Sequence, residues 1–390
     1  MRILLVTHTV PYPPVDGSAV DRWNRVVALA RRGVSIHLIT WPDENVVKHQ
    51  LEALRTCCDS VAVHRKRRSP YRALLYPKYP TPVISRILAP AEFKAELRRV
   101  EGISPDVVFL DGFGAAVLGM SLAEELDIPL VYRSHNVEHQ YVAQLVTLKQ
   151  NLSRRALLLL NTLRMKPYEQ RVRNRSSLIY DISAEDRDAW RNHQSAFKTK
   201  VLNFCLHPDE KYSAITSGDS TNDIDALYVG NLHTPNNVFG VKWFAREVVP
   251  LLKGLRVVVA GSKPVPEIYR VSNSGNLEVM PDPKEVVPLY KRARVLINPI
   301  WHGSGLNIKM VESLATGKPV VSTSRGTRGL VKRLCAHVHV ADSPQSFAGA
   351  VLNPAHDFSA KQQTDVLKEH GWAENVAALM QDLNELVSRR

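Results

Sequence analysis

The 390-residue sequence has only four cysteines, Cys57, Cys58, Cys205 and Cys335, and no CxxC pair. That spacing excludes a zinc finger and argues against a disulfide framework. Adjacent Cys57 and Cys58 could close only a strained ring, so reduced thiols and a cytoplasmic setting are expected. No apolar run approaches the ~20 residues that cross a bilayer, which leaves peripheral membrane association. Nor does the amino terminus read as a signal peptide. Its apolar run Ile3-Leu4-Leu5-Val6 is short, and a polar, proline-containing stretch follows at once. Internal repeats and low-complexity tracts are missing. So are RNP-like motifs, zinc-finger spacings and recognition-helix patterns, so nucleic acid is not an expected partner. No DxD-type carboxylate pair stands at a strand end in a way that demands a metal, and neither a metal nor a cofactor is expected.

Acidic charge is the scarcer sign: 38 Asp and Glu stand against 51 Lys and Arg, a net +13 that favours an anionic partner. The basic residues cluster. Arg65, Lys66, Arg67, Arg68, Arg72 and Lys78 are interleaved with Tyr71, Leu74, Leu75, Tyr76 and Tyr79. Arg154, Arg155, Arg164, Lys166, Arg171, Arg173 and Arg175 surround the apolar stretch 156–160. Basic residues beside leucine and tyrosine suit an anionic membrane surface, although a solvated face is the plainer account.

With 44% hydrophobic and 23% charged residues, the composition is that of a folded protein, and the length suits two domains. Apolar runs at 2–7, 34–40, 106–110, 129–133 and 178–182 alternate with helix-length segments such as Val20, Trp23, Val26, Val27, Ala30. After a polar connection at 207–225, strand-like runs recur at 226–230, 256–261, 295–299 and 319–323. This alternation predicts an α/β chain of two Rossmann-like, doubly wound parallel-sheet domains facing a cleft. The boundaries expected are 1–205 for the first domain and 206–372 for the second. A last helix at 373–390 is expected to cross back to the first.

The richest segment is INPIWHGSGLNIKMVESLATGKPVVSTSRGTRGL, residues 297–330. A strand leads into Gly303-Ser304-Gly305, and Leu306, Met310, Val311 and Leu314 then follow helical spacing. A glycine loop feeding a helix presents free N–H groups at the positive helix end, which suits a phosphate. Lys309 in the first turn adds a full charge, and Glu312, on the same face, can accept from two vicinal ribose hydroxyls. The alternative is an ordinary surface ion pair between the two.

This segment resembles the donor-site signature of glycosyltransferase family 4, retaining enzymes of the GT-B type, and in particular its exopolysaccharide-associated subgroup. Glu312, Ser313-Leu314-Ala315 and Gly317-Lys318-Pro319-Val320-Val321 match the second glutamate and its continuation. Ser304 stands where the family has a first glutamate that contacts hydroxyls of the donor sugar. The resemblance places backbone contacts at Leu306, Asn307 and Ile308, and a lysine at Lys309. It extends to Gly17-Ser18 after the first strand, to His135 in YRSHNVE beside the donor sugar, to Gly230-Asn231, and to Gly261. The arginine or lysine common after the Gly230 position is missing, which shifts phosphate charge onto Lys309.

The implied reaction is retaining transfer of a hexose from a nucleotide-diphosphate sugar to a saccharide or lipid-linked acceptor, in cell-surface polysaccharide or glycoconjugate synthesis. His135, Lys309 and Glu312 would be the catalytic groups. Gly17, Gly230, Asn231, Gly261, Ser304, Gly305, Leu306, Asn307 and Ile308 would bind the donor. His135 is expected to stabilise the sugar as positive charge develops, with Glu138 as its local partner. A nucleotide-sugar epimerase of the same fold, or a non-catalytic nucleotide-sugar-binding protein, would also account for the segment.

Overall fold

The computed structural model describes residues 1–390 except 15, 43–47, 68, 148–151, 208–214, 216–220, 273–275, 304, 355–358 and 390. Most of the polar connection read at 207–225 therefore lies outside the described residues. The chain divides into two units. The first comprises Met1–Pro14, Ser18–Cys205 and Trp372–Arg390; the second comprises Leu206–Gly371 with the short stretch Val15–Gly17.

Seven parallel strands build the first unit: β1 (Arg2–Thr7), β2 (Ser35–Thr40), β3 (Ser60–Val63), β4 (Val107–Asp111), β5 (Leu130–Ser134), β6 (Leu178–Asp181) and β7 (Thr199–Val201). Their order is β3-β2-β1-β4-β5-β6-β7. The central strands are nearly continuous runs of buried side chains because helices cover both faces, so no face needs polar residues. From β1 the chain runs outward to β2 and β3, then returns to β4 on the other side. The crevice between the carboxyl ends of β1 and β4 is thus the topological switch point, where ligands bind in such sheets. The helix Trp372–Ser388 buries Val376, Leu379 and Leu383, at helical spacing, in the same core as Trp23 and Leu29.

The second unit has six parallel strands: β8 (Ile224–Val229), β9 (Val257–Gly261), β10 (Leu277–Pro281), β11 (Ala293–Asn298), β12 (Val320–Ser322) and β13 (Val338–Val340). The order β10-β9-β8-β11-β12-β13 puts its switch point between β8 and β11. The ends of β8 and β9 approach closely: a Cβ on Gly261 would come 1.6 Å from the Gly230 carbonyl oxygen, so only glycine fits there. Both sheets are doubly wound and parallel, as the alternation of apolar runs predicts.

Candidate functional site

In the second unit β11 carries Asn298 to the sheet's carboxyl edge, and the chain turns through Gly303 and Gly305 at positive φ (137° and 74°). The following helix spans Ile308–Ala315 with Asn307 as N-cap, two residues after the start predicted at Leu306. Leu306 is buried, so its apolar spacing mimics a helical position. Asn307 instead sends its carboxamide to Asn298 Oδ1, 3.2 Å away. Met310 N–H closes on the Asn307 carbonyl, which leaves the N–H groups of Ile308 and Lys309 without intrahelical acceptors at the helix's positive end. Ser304 lies outside the described residues.

Lys309 is half-buried, not an exposed ion-pair partner. Its ammonium donates to Tyr228 Oη at 2.7 Å and to Asn237 Oδ1 at 2.6 Å, and sits 4.7 Å from the centre of the Tyr228 ring. Burial pulls its pKa down to about 7, with the Glu312 charge acting against that pull. Gly230 is held beside this pair, since a Cβ there would meet Tyr228 Oη at 2.7 Å and Lys309 Nζ at 3.2 Å. Asn231 turns its side-chain oxygen inward to accept from the His233 and Thr234 N–H groups, so it shapes the turn after β8. Glu312 is half-buried on the same helix, and its charge, after burial, holds the Tyr290 phenol above its ordinary pKa.

Lys309 lines a pocket of about 130 Å³ together with Asn237, Gly305, Asn307 and two residues the sequence reading did not single out, Arg325 and Arg328. Both arginines belong to the turn after β12, where Thr323 Oγ1 accepts from Gly326 N–H. Gly326 is packed against Ser322 and Asn298, and Gly329 (φ 81°) against Leu306. The arginine turn is thereby locked onto the glycine loop, and the Arg325 guanidinium donates to the Gly303 carbonyl. Their signal was present as SRGTRGL in the segment read, but charge in a loop carries no periodicity.

In the first unit the switch-point crevice holds a network of buried charge. Asp111 ends β4, Arg133 and His135 lie at the end of β5, and the helix Gly17–Arg31 lays Asp21, Arg22 and Arg25 over them. Gly17 is that helix's first residue. Arg25 and Arg133 reach Asp21 Oδ2 at 2.5 and 3.1 Å, and Arg22 and Arg25 both lie 3.3 Å from Asp111. His135 Nε2 is 2.5 Å from Asp111 Oδ1, and its Nδ1 is 3.4 Å from Asp21 Oδ2. The histidine's partners are therefore these aspartates. Glu138, expected to be its partner, opens the next helix beside Glu169, and burial followed by that neighbour pushes it up to about 8. Burial holds His135 below its ordinary pKa against the pull of Asp111. Against the cost of their own burial, Arg25 and other cationic neighbours hold Asp21 and Asp111 below the usual carboxylate range. His8, directly after β1, completes the crevice: its Nδ1 is buried without a hydrogen-bond partner, and burial followed by Arg22 and Arg86 drives its pKa well down. The sequence reading missed His8, Asp21, Arg22, Arg25 and Asp111, because buried charge on a helix looks like an exposed polar face until the partner strands are placed.

The two basic clusters are partly consumed by the fold. Arg72 turns inward to the carbonyls of Ile84 and Ile87, Arg67 pairs with Glu92, and Arg175 pairs with Glu124. Arg173 is fully buried against Asp181. Arg68 lies outside the described residues. Among the described residues, no helix is long and apolar enough to cross a membrane.

Comparison with known proteins agrees with this architecture. Residues 223–357 match the family model described as Glycosyl transferases group 1. An uncharacterized 44.6 kDa protein in the cps region of Klebsiella pneumoniae is 23% identical over 381 residues, covering 93% of each chain. Among solved structures, HepE of Anabaena, in complex with UDP and glucose, superposes with a TM-score of 0.67 at 13% identity, over 99% of this chain and 100% of that one. Sucrose-phosphate synthase of Thermosynechococcus elongatus gives a TM-score of 0.67 at 14% identity, over the whole of both chains. Residues 223–357 thus match the glycosyl transferases group 1 family, which supports glycosyltransferase activity, and the two parallel sheets have the GT-B fold of these solved structures.

Proposed function

We propose that this glycosyltransferase moves a hexose, with retention, from a uridine-diphosphate sugar to a saccharide or lipid-linked acceptor in cell-surface polysaccharide synthesis. The observation that carries the donor reading is the pocket where Lys309, Arg325 and Arg328 meet the start of the helix Ile308–Ala315. The cations and the helix end would neutralise the diphosphate as it leaves, and such groups contribute ~3 kcal/mol apiece to a transition state. Glu312 would accept from the ribose hydroxyls. Uridine is favoured because the HepE structures hold UDP and UDP-glucose, and polysaccharide synthesis because of the cps-region relative. Retention rests on the family resemblance.

His135 has both ring nitrogens turned toward carboxylates, so its part would be to hold the charge of the crevice in place and not to carry a proton. The leaving phosphate oxygen would take the acceptor's proton.

An anionic membrane face is the proposed workplace. Tyr71 and Leu75 on one short helix, and Leu159 and Leu163 on another, are exposed in the same unit. Asn161 accepts from Thr81 N–H and Tyr79 packs on Tyr168, which tethers the two regions. Lys78 and Lys166 are exposed in the same segments.

Purified protein would be melted with UDP, GDP, dTDP and ADP, then incubated with the matching nucleotide sugar, with and without oligosaccharide. The expected results are a rise in Tm with UDP and oligosaccharide-dependent release of UDP. Release of free nucleotide together with an altered sugar, without acceptor, would support an epimerase. A Tm shift without turnover under any condition would leave a binding protein.

A further inference from the structure

The donor pocket is lined by two kinds of polar group. Lys309, Arg325 and Arg328 offer hydrogen-bond donors and no acceptor, as do the N–H groups at the start of the helix Ile308–Ala315. They match phosphate oxygens, which only accept. Asn236 and His302 line the same pocket without charge. Burial and then Arg325 hold His302 below its ordinary pKa, so its imidazole is neutral near pH 7. A carboxamide and a neutral imidazole each offer both a donor and an acceptor. Asn236 Oδ1 is buried without a hydrogen-bond partner among the described residues, which costs free energy until a ligand supplies one. The helix Pro235–Trp243 holds this wall in place. A Cβ on Gly240 would lie 2.1 Å from the Pro299 carbonyl oxygen, so the helix is pressed against the chain just past β11. From the same helix Asn237 accepts from the Lys309 ammonium, and Phe239 packs edge-on against His302 with ring centres 4.6 Å apart. Asn236 lies beside Gly303, whose Cβ would come 3.5 Å from the Asn236 Nδ2.

We propose that Asn236 and His302 select the donor sugar by hydrogen-bonding its hydroxyls, while Lys309, Arg325, Arg328 and the helix start hold the diphosphate. This inference rests on the donor-pocket reading above and adds the residues that read the sugar. A hydroxyl both donates and accepts, so a carboxamide or a neutral imidazole can satisfy it from either side, whereas a cation meets only its lone pairs. The order of groups along the pocket agrees with the order of parts in a sugar nucleotide. Glu312, given to the ribose, lies one turn past Lys309 in the helix, and Asn236 and His302 stand by Gly303, ahead of the helix start. The diphosphate joins ribose to sugar. A ligand with its ribose at Glu312 and its diphosphate at Lys309 therefore carries its sugar toward Asn236. A sugar without the matching hydroxyl would leave the carboxamide unpaired, which is how a polar site rejects it.

Calorimetric titration of the full chain tests this by comparing a nucleotide with its sugar nucleotides. The sets are UDP with UDP-glucose, UDP-galactose and UDP-N-acetylglucosamine, GDP with GDP-mannose and GDP-fucose, and dTDP and ADP each with its glucose derivative. Asn236→Leu keeps the shape of the side chain and removes its polar atoms. In that variant the tightest sugar nucleotide is expected to lose about tenfold or more, while its parent nucleotide changes by about twofold or less. His302→Phe is expected to lower the same ratio, and it reports independently should Asn236→Leu fail to fold by circular dichroism. A ratio that falls in either folded variant supports the inference. Equal losses for nucleotide and sugar nucleotide, or no loss for either, in every folded variant would overturn it and leave the donor pocket standing. Binding of a nucleotide with none of its sugar nucleotides would overturn it in the same way. Failure of every nucleotide to bind would overturn the donor-pocket reading itself, and this inference with it.

Discussion

The ammonium of Lys309 and the phenol of Tyr228 form a joined pair, hydrogen-bonded at 2.7 Å with the charge 4.7 Å from the ring centre. Tyr228 is fully buried, and burial raises its pKa, so it stays a neutral acceptor. The phenol thus fixes the direction of the lysine without discharging it. Lys309→Ala is expected to weaken UDP binding about a hundredfold, equivalent to ~3 kcal/mol. Tyr228→Phe should cost about tenfold or less, because it removes one neutral acceptor and keeps the ring. Titration calorimetry decides; equal losses in the two variants would mean that the pair, and not the charge, holds the nucleotide.

The same lysine makes binding depend on pH. Burial lowers it to about 7 in the empty pocket, and an arriving diphosphate favours its charged form. Binding therefore takes up a proton above pH 7, and affinity for UDP is expected to be flat below about pH 7 and to fall as pH rises through 8. Titrations in buffers of different ionisation enthalpy would detect the uptake, and Lys309→Arg should abolish both the uptake and the slope.

Acid should unfold the first unit in two stages. His8 and His135 have folded pKa values below 6.5, so their contribution is fully present above 6.5 and is lost as pH falls below it. Asp21 and Asp111 are likewise depressed, so theirs is present above about pH 4 and is lost as pH falls toward their folded values. Scanning calorimetry from pH 8 to pH 3 is expected to show Tm declining first below 6.5 and again below 4. Asp111→Asn, which leaves Arg22 and Arg25 buried against one carboxylate, should cost ~3 kcal/mol or more and remove much of the second decline.

Vesicles test the membrane face. Partition onto liposomes containing phosphatidylserine is expected to exceed that onto neutral liposomes and to weaken with salt. Leu163→Glu, at a side chain 74% exposed, should reduce it without changing Tm.

What the sequence made legible follows from burial. Every strand read from it lies inside a sheet, and the four it missed, β3, β7, β10 and β13, are the sheet edges. An edge strand is half exposed, so Leu277–Pro281 reads L-E-V-M-P and Thr199–Val201 reads T-K-V, without the apolar run that marks a buried parallel strand. The pocket divides the same way. Lys309 was readable because the glycine loop and the helical spacing after it place it in a first helical turn from local pattern alone. Arg325 and Arg328 reach the pocket only through the pairing of β12 with β11, a contact between distant stretches of chain that no local pattern encodes. Asp21 and Asp111 are 90 positions apart and meet only once the helix Gly17–Arg31 is laid over the ends of the strands.

Gly112 separates backbone strain from crowding in that crevice. It adopts φ 99°, and a Cβ there would lie 2.2 Å from His8 Nδ1 and 2.6 Å from its Cε1. Alanine must therefore accept an unfavourable backbone and also displace the imidazole, which together should cost ~3 kcal/mol of stability. Placing Gly112→Ala in a His8→Ala background removes the crowding and leaves the strain. The cost is expected to drop by ~1 kcal/mol or more, measured as the coupling in a double-mutant cycle. An unchanged cost would mean that the glycine is required by its backbone alone, and that His8 moves freely enough to make room.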